Sequence, residues 1–266
     1  MHKNIKISVV TVCFNSAKTI ELAIKSVLNQ TYKHVEYIVI DGQSTDDTLK
    51  IVNKYKKKIS KIVSEKDKGI YDAMNKGVDL ASGDVIYFLN SDDVLVDKQV
   101  LLKVAYEFSQ NDYDLVFGNI ISYYPKEKLE IKRHSKVASI SELKNGDMPP
   151  HQASFVKRYW LKKYYFNLKY RSSADFDFFC DLLSQKIKIK KLNLCVANMQ
   201  AGGFSSGLIS CKETEEIILE RYGFYYYIKL FLKNRLFFLF RSLFSFFGVR
   251  IHISPNSLFK VKLYKI

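Results

Sequence analysis

The sequence is short of cysteine, and the cysteines it has are scattered. Four of them occur in 266 residues, and no two form a C-x-x-C pair; they are Cys13, Cys180, Cys195 and Cys211. This pattern argues against a disulfide framework and predicts reduced thiols in a cytosolic protein. Internal repeats and low-complexity linkers are also missing, so the length predicts one large domain or one domain with an appendage.

A secretory signal peptide is not expected either. The apolar part of the N-terminal MHKNIKISVVTVCF is too short for one and continues directly into a strand pattern.

Acidic residues are also few: the sequence has 27 Asp and Glu but 42 Lys and Arg, which gives a formal net charge of +15 and a pI near 9.4. This excess predicts an acidic partner, which can be a phosphorylated substrate, a nucleic acid or an anionic membrane surface.

The first 125 residues or so alternate between strand-like and helix-like segments. Apolar, β-branched runs predict strands at 5–14, 35–40, 61–64, 85–89 and 114–123. Helical spacing of apolar residues predicts helices at 16–30, 44–58, 69–81 and 98–109, with Ser44 and Asp47 placed as a capping box. Alternating elements with continuous apolar strands predict an α/β fold, a mostly parallel sheet with helices on both faces.

Beyond residue 125 the pattern is less regular. We expect an exposed strand at 128–134, a loop opening into a strand at 148–156, a helix that begins near Asp175, and a strand at 187–199. A glycine-containing turn is expected next, at 200–205.

Polar residues follow three of the predicted strands. The first strand ends in TVCFN (11–15), the second in DGQS (41–44), and the strand at 85–89 runs into NSDD (90–93). Ligands of parallel α/β sheets bind beyond the carboxyl ends of the strands, so these groups predict a binding site at one rim of the sheet.

Adjacent carboxylates at Asp92 and Asp93 are a natural site for a divalent cation. Mg²⁺ and Mn²⁺ take oxygen ligands, often one or two protein carboxylates together with substrate phosphates. The alternative interpretation is an ordinary Asp-rich turn that caps the next helix. Asp41 can accept hydrogen bonds from a base or ribose, or can form an Asx-turn.

Three blocks of the sequence together form a recognisable pattern: SVVTVCFNSAKTIELAIKSVLNQTY, YIVIDGQSTDDT and SEKDKGIYDAMNKGVDLASGDVIYFLNSDD. In this order and spacing they resemble family 2 glycosyltransferases of the GT-A fold, over about residues 5–210. The last block is similar to the branch that contains bacterial polysaccharide enzymes of the colanic-acid, O-antigen and capsule type. The resemblance implies a nucleotide-sugar donor, usually linked to UDP or GDP, a divalent metal (Mn²⁺ or Mg²⁺), and transfer to an acceptor hydroxyl with inversion.

The resemblance also implies the residues on the donor side. Thr11 and Asn15 would line the nucleotide pocket, and Asp41 would read the base or ribose. Ser91-Asp92-Asp93 stands in the place of the family's D-x-D element, which binds metal and diphosphate. The first position is Asn90 instead of Asp, so it stays open whether Asp92 or Asp93 is the main metal ligand.

Further matches complete the implied site. Asp67, Lys68 and Asn75 match a motif that lines the donor side, where Lys68 would meet phosphate. His151-Gln152 matches an H-Q pair close to the donor or acceptor, although a lone histidine is often structural. Gly202-Gly203 matches a loop that closes over the active site, with an ordinary turn as the alternative.

Transfer with inversion needs one general base to remove the acceptor proton. The family's base is an Asp at the start of a late helix, and ADFD (174–177) matches that context. We expect Asp175 to be the base and Asp177 to be the second candidate. The alternative is an acidic residue that only complements the helix dipole.

No acidic residue follows Glu220, whereas nine basic residues do, several of them inside FYYYIKLFLKNRLFFLFRSLFSFFG (224–248). A transmembrane helix needs roughly 18 or more residues with few charges, so this segment fits the membrane interface better. We expect a GT-A domain at 1–212 and a helical, membrane-associating tail at 213–266. A helix packed on the domain or on a second subunit is the alternative.

Together these features predict an inverting, metal-dependent glycosyltransferase on the inner face of the cytoplasmic membrane, with a lipid-linked glycan as acceptor and no nucleic-acid partner. Self-association is left open. A nucleotidyltransferase is the first alternative, but a triphosphate loop rich in Gly and Arg or Lys does not follow the first strand. A non-enzymatic basic protein that binds membrane or nucleic acid is the second; its acidic rim would repel phosphate unless metal were bound.

Overall fold

The computed structural model describes residues 4–124, 128–136, 138–200, 208–246, 249–251 and 263–265. Its strands are β1 (Ile7–Cys13), β2 (Val35–Asp41), β3 (Lys61–Ser64), β4 (Val85–Phe88), β5 (Val94–Leu95), β6 (Leu115–Tyr124), β7 (Leu129–Arg133), β8 (Ser154–Lys157), β9 (Ile189–Gln200), β10 (Val249–Ile251) and β11 (Leu263–Lys265). Its α-helices are α1 (Ile20–Leu28), α2 (Thr48–Lys54), α3 (Ile70–Leu80), α4 (Val100–Gln110), α5 (Ile140–Lys144), α6 (Arg158–Tyr164), α7 (Ala174–Leu183), α8 (Leu208–Tyr222) and α9 (Phe224–Phe246). A 3₁₀ turn, His151–Ala153, leads into β8.

One large sheet organises the chain in the order β3-β2-β1-β4-β8-β6-β9-β5, and β7 pairs antiparallel with the second half of β6. The strands β3, β2, β1 and β4 are parallel, as the strand–helix alternation predicts. Strand β8 runs antiparallel to β4 and to β6, so its first residue lies at the edge where β4 ends. The predicted α/β fold is confirmed, and the antiparallel β8 brings a later part of the chain to the predicted rim.

The sheet is buried on both faces, which explains its continuous apolar strands. All seven residues of β1 are buried. Ile7 and Val9 pack in the layer that contains α1 and α4, whereas Val10 and Val12 pack in the layer that contains α3 and α7. Each fully buried aliphatic side chain of this kind contributes roughly 1.5–3 kcal/mol, so the rim rests on a rigid base.

The predicted capping box at Ser44 and Asp47 was wrong. Helix α2 begins at Thr48, where Asp46 Oδ1 accepts from the backbone N–H and the hydroxyl of Thr48. Ser44 instead turns both its N–H and its hydroxyl towards Asp41. The buried carboxylate at the end of β2 competes successfully for the residue that would have capped the helix.

Helices α8 and α9 pack on the sheet domain through part of their surface. Leu230, Asn234 and Phe237 of α9 are buried, and the predicted boundary between residues 212 and 213 falls inside α8. Between residues 224 and 240 of α9, six large side chains are exposed: Phe224, Tyr225, Leu232, Leu236, Leu239 and Phe240. In the described part of the chain, no helix combines the length and the apolar character that crossing a membrane requires.

Candidate active site

The carboxyl ends of β1, β2 and β4 meet at one rim, and the loops that follow them are joined by hydrogen bonds. The Asn15 backbone N–H donates to Ser44 Oγ at 2.8 Å, and Asn15 Oδ1 accepts from the Thr45 backbone N–H at 2.9 Å. Ser16 Oγ and Ser91 Oγ lie 2.8 Å apart, which links the first loop to the third. The structure therefore brings the three predicted polar segments together.

Asp41 is completely buried at the end of β2, and donors surround its carboxylate. The Ser44 backbone N–H donates at 3.0 Å, the Ser44 hydroxyl at 2.5 Å and the Ser64 hydroxyl at 2.7 Å. Cys13 Sγ lies 3.7 Å from the same carboxylate, and burial followed by the charge of Asp41 raises the pKa of that thiol. The network fixes the loop after β2 against the ends of β1 and β3.

Asp67 stands beside the Asp41 loop and holds the entry to α3. Its Oδ1 accepts from the Gly69 backbone N–H at 2.9 Å, and a Cβ at Gly42 would collide with its carboxylate. Glycine at 42 thus allows the two loops to approach closely. Lys68 is exposed on the same loop, so its ammonium is available to an anionic ligand.

The carboxylate of Asp93 is buried and makes no hydrogen bond within the described residues, although the Gln200 backbone N–H is near enough to act on its charge. Asp93 is 1% exposed, and neither of its oxygens has a hydrogen-bond partner among the residues that the structure describes. Burial, and then the charge of Asp92, raises the pKa of Asp93 well above its usual value, against the opposing effect of the Gln200 backbone N–H. Asp92 itself is exposed. A buried, unpartnered carboxylate is expensive, so this one indicates a ligand that supplies positive charge.

The residues here fit an oxygen-coordinated divalent cation. Asn90 Oδ1 is also buried without a partner among the described residues, so two kinds of oxygen ligand come from one loop. Within those same residues, no cluster of three or more His, Cys, Asp or Glu side chains is arranged to hold a metal. Mg²⁺ and Mn²⁺ often bind through one or two carboxylates plus substrate phosphates, and the site matches that partial ligand set.

Asp175, the predicted base, lies at the start of α7 and is 6% exposed. The Tyr71 hydroxyl donates to its Oδ1 at 2.9 Å, and burial followed by the charge of Asp175 raises the pKa of Tyr71 well above its usual value, so Tyr71 stays protonated. His151 Nδ1 lies 3.3 Å from Asp175 Oδ2. The structure thus joins Asp175 and His151, which the sequence predicted, to Tyr71, which it did not.

Several predicted residues are not brought to the rim. Thr11 is fully buried, and its Oγ1 accepts from the Tyr37 hydroxyl. Asn75 exchanges two 2.8 Å hydrogen bonds with the Phe166 backbone. Asp177 binds Arg221 on the side of α7 that faces α8, because two residues along a helix turn the side chain to the opposite face.

The two residues of the H-Q pair make different contacts, and only His151 meets Asp175. The Gln152 carbonyl accepts from the Tyr87 hydroxyl at 2.8 Å, so its backbone helps to hold the 3₁₀ turn against β4. Gly202 and Gly203 lie outside the described residues.

Two rim residues were missed from the sequence. Phe14 is 61% exposed beside Gly42, at the end of an otherwise buried strand. The clue in the sequence was an aromatic residue directly after the continuous apolar run of β1. Tyr71 lies in the conspicuous block SEKDKGIYDAMNKG, but its hydroxyl partner is 104 residues away in the chain, and no local pattern predicts that pairing.

Comparison with known proteins agrees with this geometry. The family model described as Glycosyl transferase family 2 matches residues 8–187. A PGL/p-HBAD biosynthesis glycosyltransferase of Mycobacterium bovis is 30% identical over 221 residues, which cover 77% of this chain and 81% of that protein. The Escherichia coli protein UDP-Glc:alpha-D-GlcNAc-diphosphoundecaprenol beta-1,3-glucosyltransferase WfaP is 29% identical over 220 residues, 80% of this chain and 82% of that protein.

The fold is also found among solved structures. Glucosyl-3-phosphoglycerate synthase from Mycobacterium tuberculosis, solved with Mn²⁺, UDP and phosphoglyceric acid, superposes with a TM-score of 0.60. It is 21% identical, and the match covers 82% of this chain and 78% of that one. The α/β sheet of this chain therefore has the GT-A fold of these glycosyltransferases. The chain belongs to glycosyl transferase family 2, and it is an enzyme of that class.

Proposed function

We propose that the protein transfers a sugar from a nucleotide-sugar donor, a UDP-sugar, to a hydroxyl of a lipid-linked glycan, with inversion and with Mn²⁺ or Mg²⁺ bound. The observation that carries the proposal is the buried, unpartnered carboxylate of Asp93 at a rim shared with Asp41 and Asp175. The donors named for the E. coli relative and the UDP and Mn²⁺ of the M. tuberculosis structure support the same choice.

The nucleoside binds between the loops after β1 and β2. Phe14 offers an exposed aromatic face for a base, since stacking on an aromatic side chain tolerates any base. Asp41 accepts three strong hydrogen bonds from Ser44 and Ser64 and a weak one from the Cys13 thiol, and the weak thiol donor is the one that a base or ribose would replace. Asn15 and Asp67 hold the loops that form the pocket walls, and Lys68 approaches the phosphates.

The loop after β4 is where a divalent cation and the donor diphosphate would bind. Asp93 and Asp92 would hold the metal, with Ser91 beside them. When bound, a divalent cation neutralises the charge that develops on a nucleoside diphosphate leaving group. Asp93 is the main protein ligand because its oxygens are buried without partners, whereas exposed Asp92 is solvated.

Asp175 takes the proton of the acceptor hydroxyl as that oxygen attacks the anomeric carbon. Its Oδ1 accepts from Tyr71 and from the Phe176 backbone N–H, which leaves Oδ2 to receive the proton. His151, near Oδ2, limits how the carboxylate can turn. A single base acting on the face opposite the leaving group gives inversion of the anomeric centre.

The acceptor side faces the membrane through α9. Its exposed side chains form a stripe at i, i+7, i+11 and i+14 (Tyr225, Leu232, Leu236 and Leu239), and no acidic residue occurs in that helix. An apolar stripe with basic neighbours suits an anionic membrane surface. A peripheral position on the inner leaflet would bring the rim to a lipid-linked glycan, and the diphosphoundecaprenol acceptor named for the E. coli relative agrees with this.

Calorimetric binding of UDP, GDP and CMP, with and without Mn²⁺, tests the donor and metal assignments. We expect one diphosphate, UDP, to bind only with Mn²⁺, and the binding to be lost in Asp93→Asn. Equal binding of UDP with and without Mn²⁺ by both proteins would contradict the metal site. Transfer from UDP-glucose to GlcNAc-diphosphoundecaprenol in detergent, followed as UDP release, is the first assay of the reaction.

A further inference from the structure

Helix α8 contacts the chain just ahead of the proposed base. Glu213 Oε1 accepts from the Arg171 backbone N–H at 2.9 Å, and Oε2 accepts from those of Ser172 and Ser173 at 2.8 and 2.9 Å. Asp175 follows two residues after Ser173, as the second residue of α7. One carboxylate therefore satisfies three successive N–H groups at the entry to the helix that carries the base.

Further contacts from α8 continue along α7. The Ser173 hydroxyl lies 3.1–3.3 Å from the Ser210 carbonyl, the Ser210 hydroxyl and the Thr214 hydroxyl. Two turns after Glu213, Arg221 donates to Asp177 at 2.8 Å and to Asp181 at 2.6 Å. Helix α8 thus holds α7 from the residue before its first turn to its third turn.

The carboxylate of Asp175 is fixed from the other side. Tyr71 of α3 and His151 of the 3₁₀ turn contact the side chain, whereas α8 contacts the backbone that leads into it. The distance from Asp175 to an acceptor held at the rim therefore depends on both. A displacement of about 1 Å at a reacting group is enough to slow a reaction roughly 100-fold.

We propose that Glu213 is a positioning residue for the general base, so that α8 belongs to the catalytic unit. The inference rests on the proposed role of Asp175. Glu213 does not meet substrate; it sets the entry of α7 and through it the place of the Asp175 carboxylate. A glutamine at 213 keeps one acceptor oxygen but turns an NH₂ group towards backbone N–H donors, so it cannot reproduce the three hydrogen bonds.

The same helix provides two matched controls. Glu215 is buried, whereas Glu213 is half-buried, and the hydrogen bonds of Glu215 go to Asn234 and Arg235 of α9. Glu216 is half exposed and pairs with Lys169 at 2.8 Å. Glu215→Gln reproduces the loss of a hydrogen-bonded carboxylate on α8, and Glu216→Gln reproduces the change of charge.

The experiment compares the full-length variants Glu213→Gln, Glu215→Gln and Glu216→Gln by amide hydrogen exchange and by transfer kinetics with UDP-glucose and Mn²⁺. We expect Glu213→Gln to speed exchange at residues 171–173 at least tenfold and to lower kcat by about 10–100-fold, with the KM for UDP-glucose within twofold. Glu215→Gln lowers the melting temperature with kcat kept below that temperature, and Glu216→Gln changes neither.

Two results would overturn the inference. One is unchanged exchange at 171–173 in Glu213→Gln, which is measurable whatever acceptor is used. The other is a kcat that falls no further in Glu213→Gln than in Glu215→Gln, since a merely structural role predicts equal effects. The variant Asp175→Asn separates the two proposals: full activity there removes the base assignment itself, whereas an inactive Asp175→Asn beside a fully active Glu213→Gln removes only the positioning role.

Discussion

Strands β2 and β4 are both buried, and a buried carboxylate lies at or after the end of each. The two carboxylates differ in their hydrogen bonds: one has several donors, and the other has none among the described residues. Asp41 is 0% exposed and accepts hydrogen bonds from Ser44 and Ser64. Asp93 is 1% exposed, and its oxygens have no partner among the described residues. Burial alone therefore does not distinguish a structural carboxylate from a ligand-binding one, whereas the number of its hydrogen-bond donors does.

The difference separates two ways of building a site. At Asp41 the protein supplies the donors itself, so the loop keeps its shape before any ligand arrives. At Asp93 the compensating charge must come from outside, because an isolated buried carboxylate is destabilising. The nucleoside side of the rim is preorganised in the fold, and the diphosphate side is completed by what binds there.

Asp175 extends the comparison to a carboxylate with one oxygen held and one left for chemistry, and it gives the largest expected effect. We expect Asp175→Asn to lower kcat by about 10²–10⁴-fold, the usual contribution of a positioned base, while the Kd for UDP with Mn²⁺ stays within about twofold. Initial rates and calorimetry on the same preparation check both. A similar loss in Asp177→Asn with an active Asp175→Asn would reverse the two assignments.

Asp93→Asn tests the unpartnered carboxylate directly. We expect Mn²⁺-dependent UDP affinity to fall at least ~100-fold, the upper end for a coupling between metal and ligand, while the melting temperature of the metal-free protein rises by about 2–4 °C at pH 7. The raised pKa of Asp93 sets the sign. The charged form of Asp93 is disfavoured in the folded state. The gain in melting temperature of Asp93→Asn over wild type therefore grows as the pH rises above 3.8, the ordinary pKa of Asp, and vanishes below it.

Asp92→Asn is the matched control for that change. Asp92 is exposed, so its removal is expected to leave the metal-free melting temperature within about 1 °C of wild type. A destabilised metal-free Asp93→Asn protein would contradict the picture of an unpartnered carboxylate.

Asp41→Asn tests the saturated carboxylate and is expected to act in the opposite direction. Its amide would face the Ser44 and Ser64 donors, so the free energy of unfolding falls by about 1–3 kcal/mol with or without Mn²⁺. Urea unfolding in both conditions measures this. The control is Asp47→Asn, because Asp47 is exposed and its contact with Lys50 is 3.8 Å long; equal losses in the two variants would show that the network around Asp41 contributes little.

Glu36 provides a saturated carboxylate away from the rim and the smallest effect. Burial would raise its pKa, but hydrogen bonds from Ser8 and Ser82 outweigh burial and lower it to about 2. Such a group stabilises the fold fully at pH values above its ordinary pKa of 4.5. That stabilisation is lost as the pH falls through its folded-state pKa of about 2. We expect Glu36→Gln to lose about 1–2 kcal/mol at pH 7 and the gap to wild type to close between pH 4.5 and 2, with no change in kcat.

Much of this site could be predicted from the sequence because its parts are local. Asp41 and Asp93 each follow an apolar strand, and strand ends in a parallel sheet meet at one edge. The capping box at Ser44 failed because the Asp41 carboxylate, buried at the end of β2, accepts from both the N–H and the hydroxyl of Ser44, and Asp46 accepts from the Thr48 N–H at the start of α2 instead. Thr11 was expected to line the nucleotide pocket, but its fully buried side chain lies on the face of β1 that meets Tyr37.

The amino-acid sequence by itself determined the α/β alternation, the acidic rim, the family and the start of the helix that carries Asp175, since each depends on residues a few positions apart. Only the tertiary structure decided which of two adjacent carboxylates is buried without a partner, that Tyr71 and His151 meet Asp175, and that Glu213 holds the entry to α7. Those contacts join residues 24 to 104 positions apart, and only packing of the whole chain can select them from the other donors and acceptors it contains.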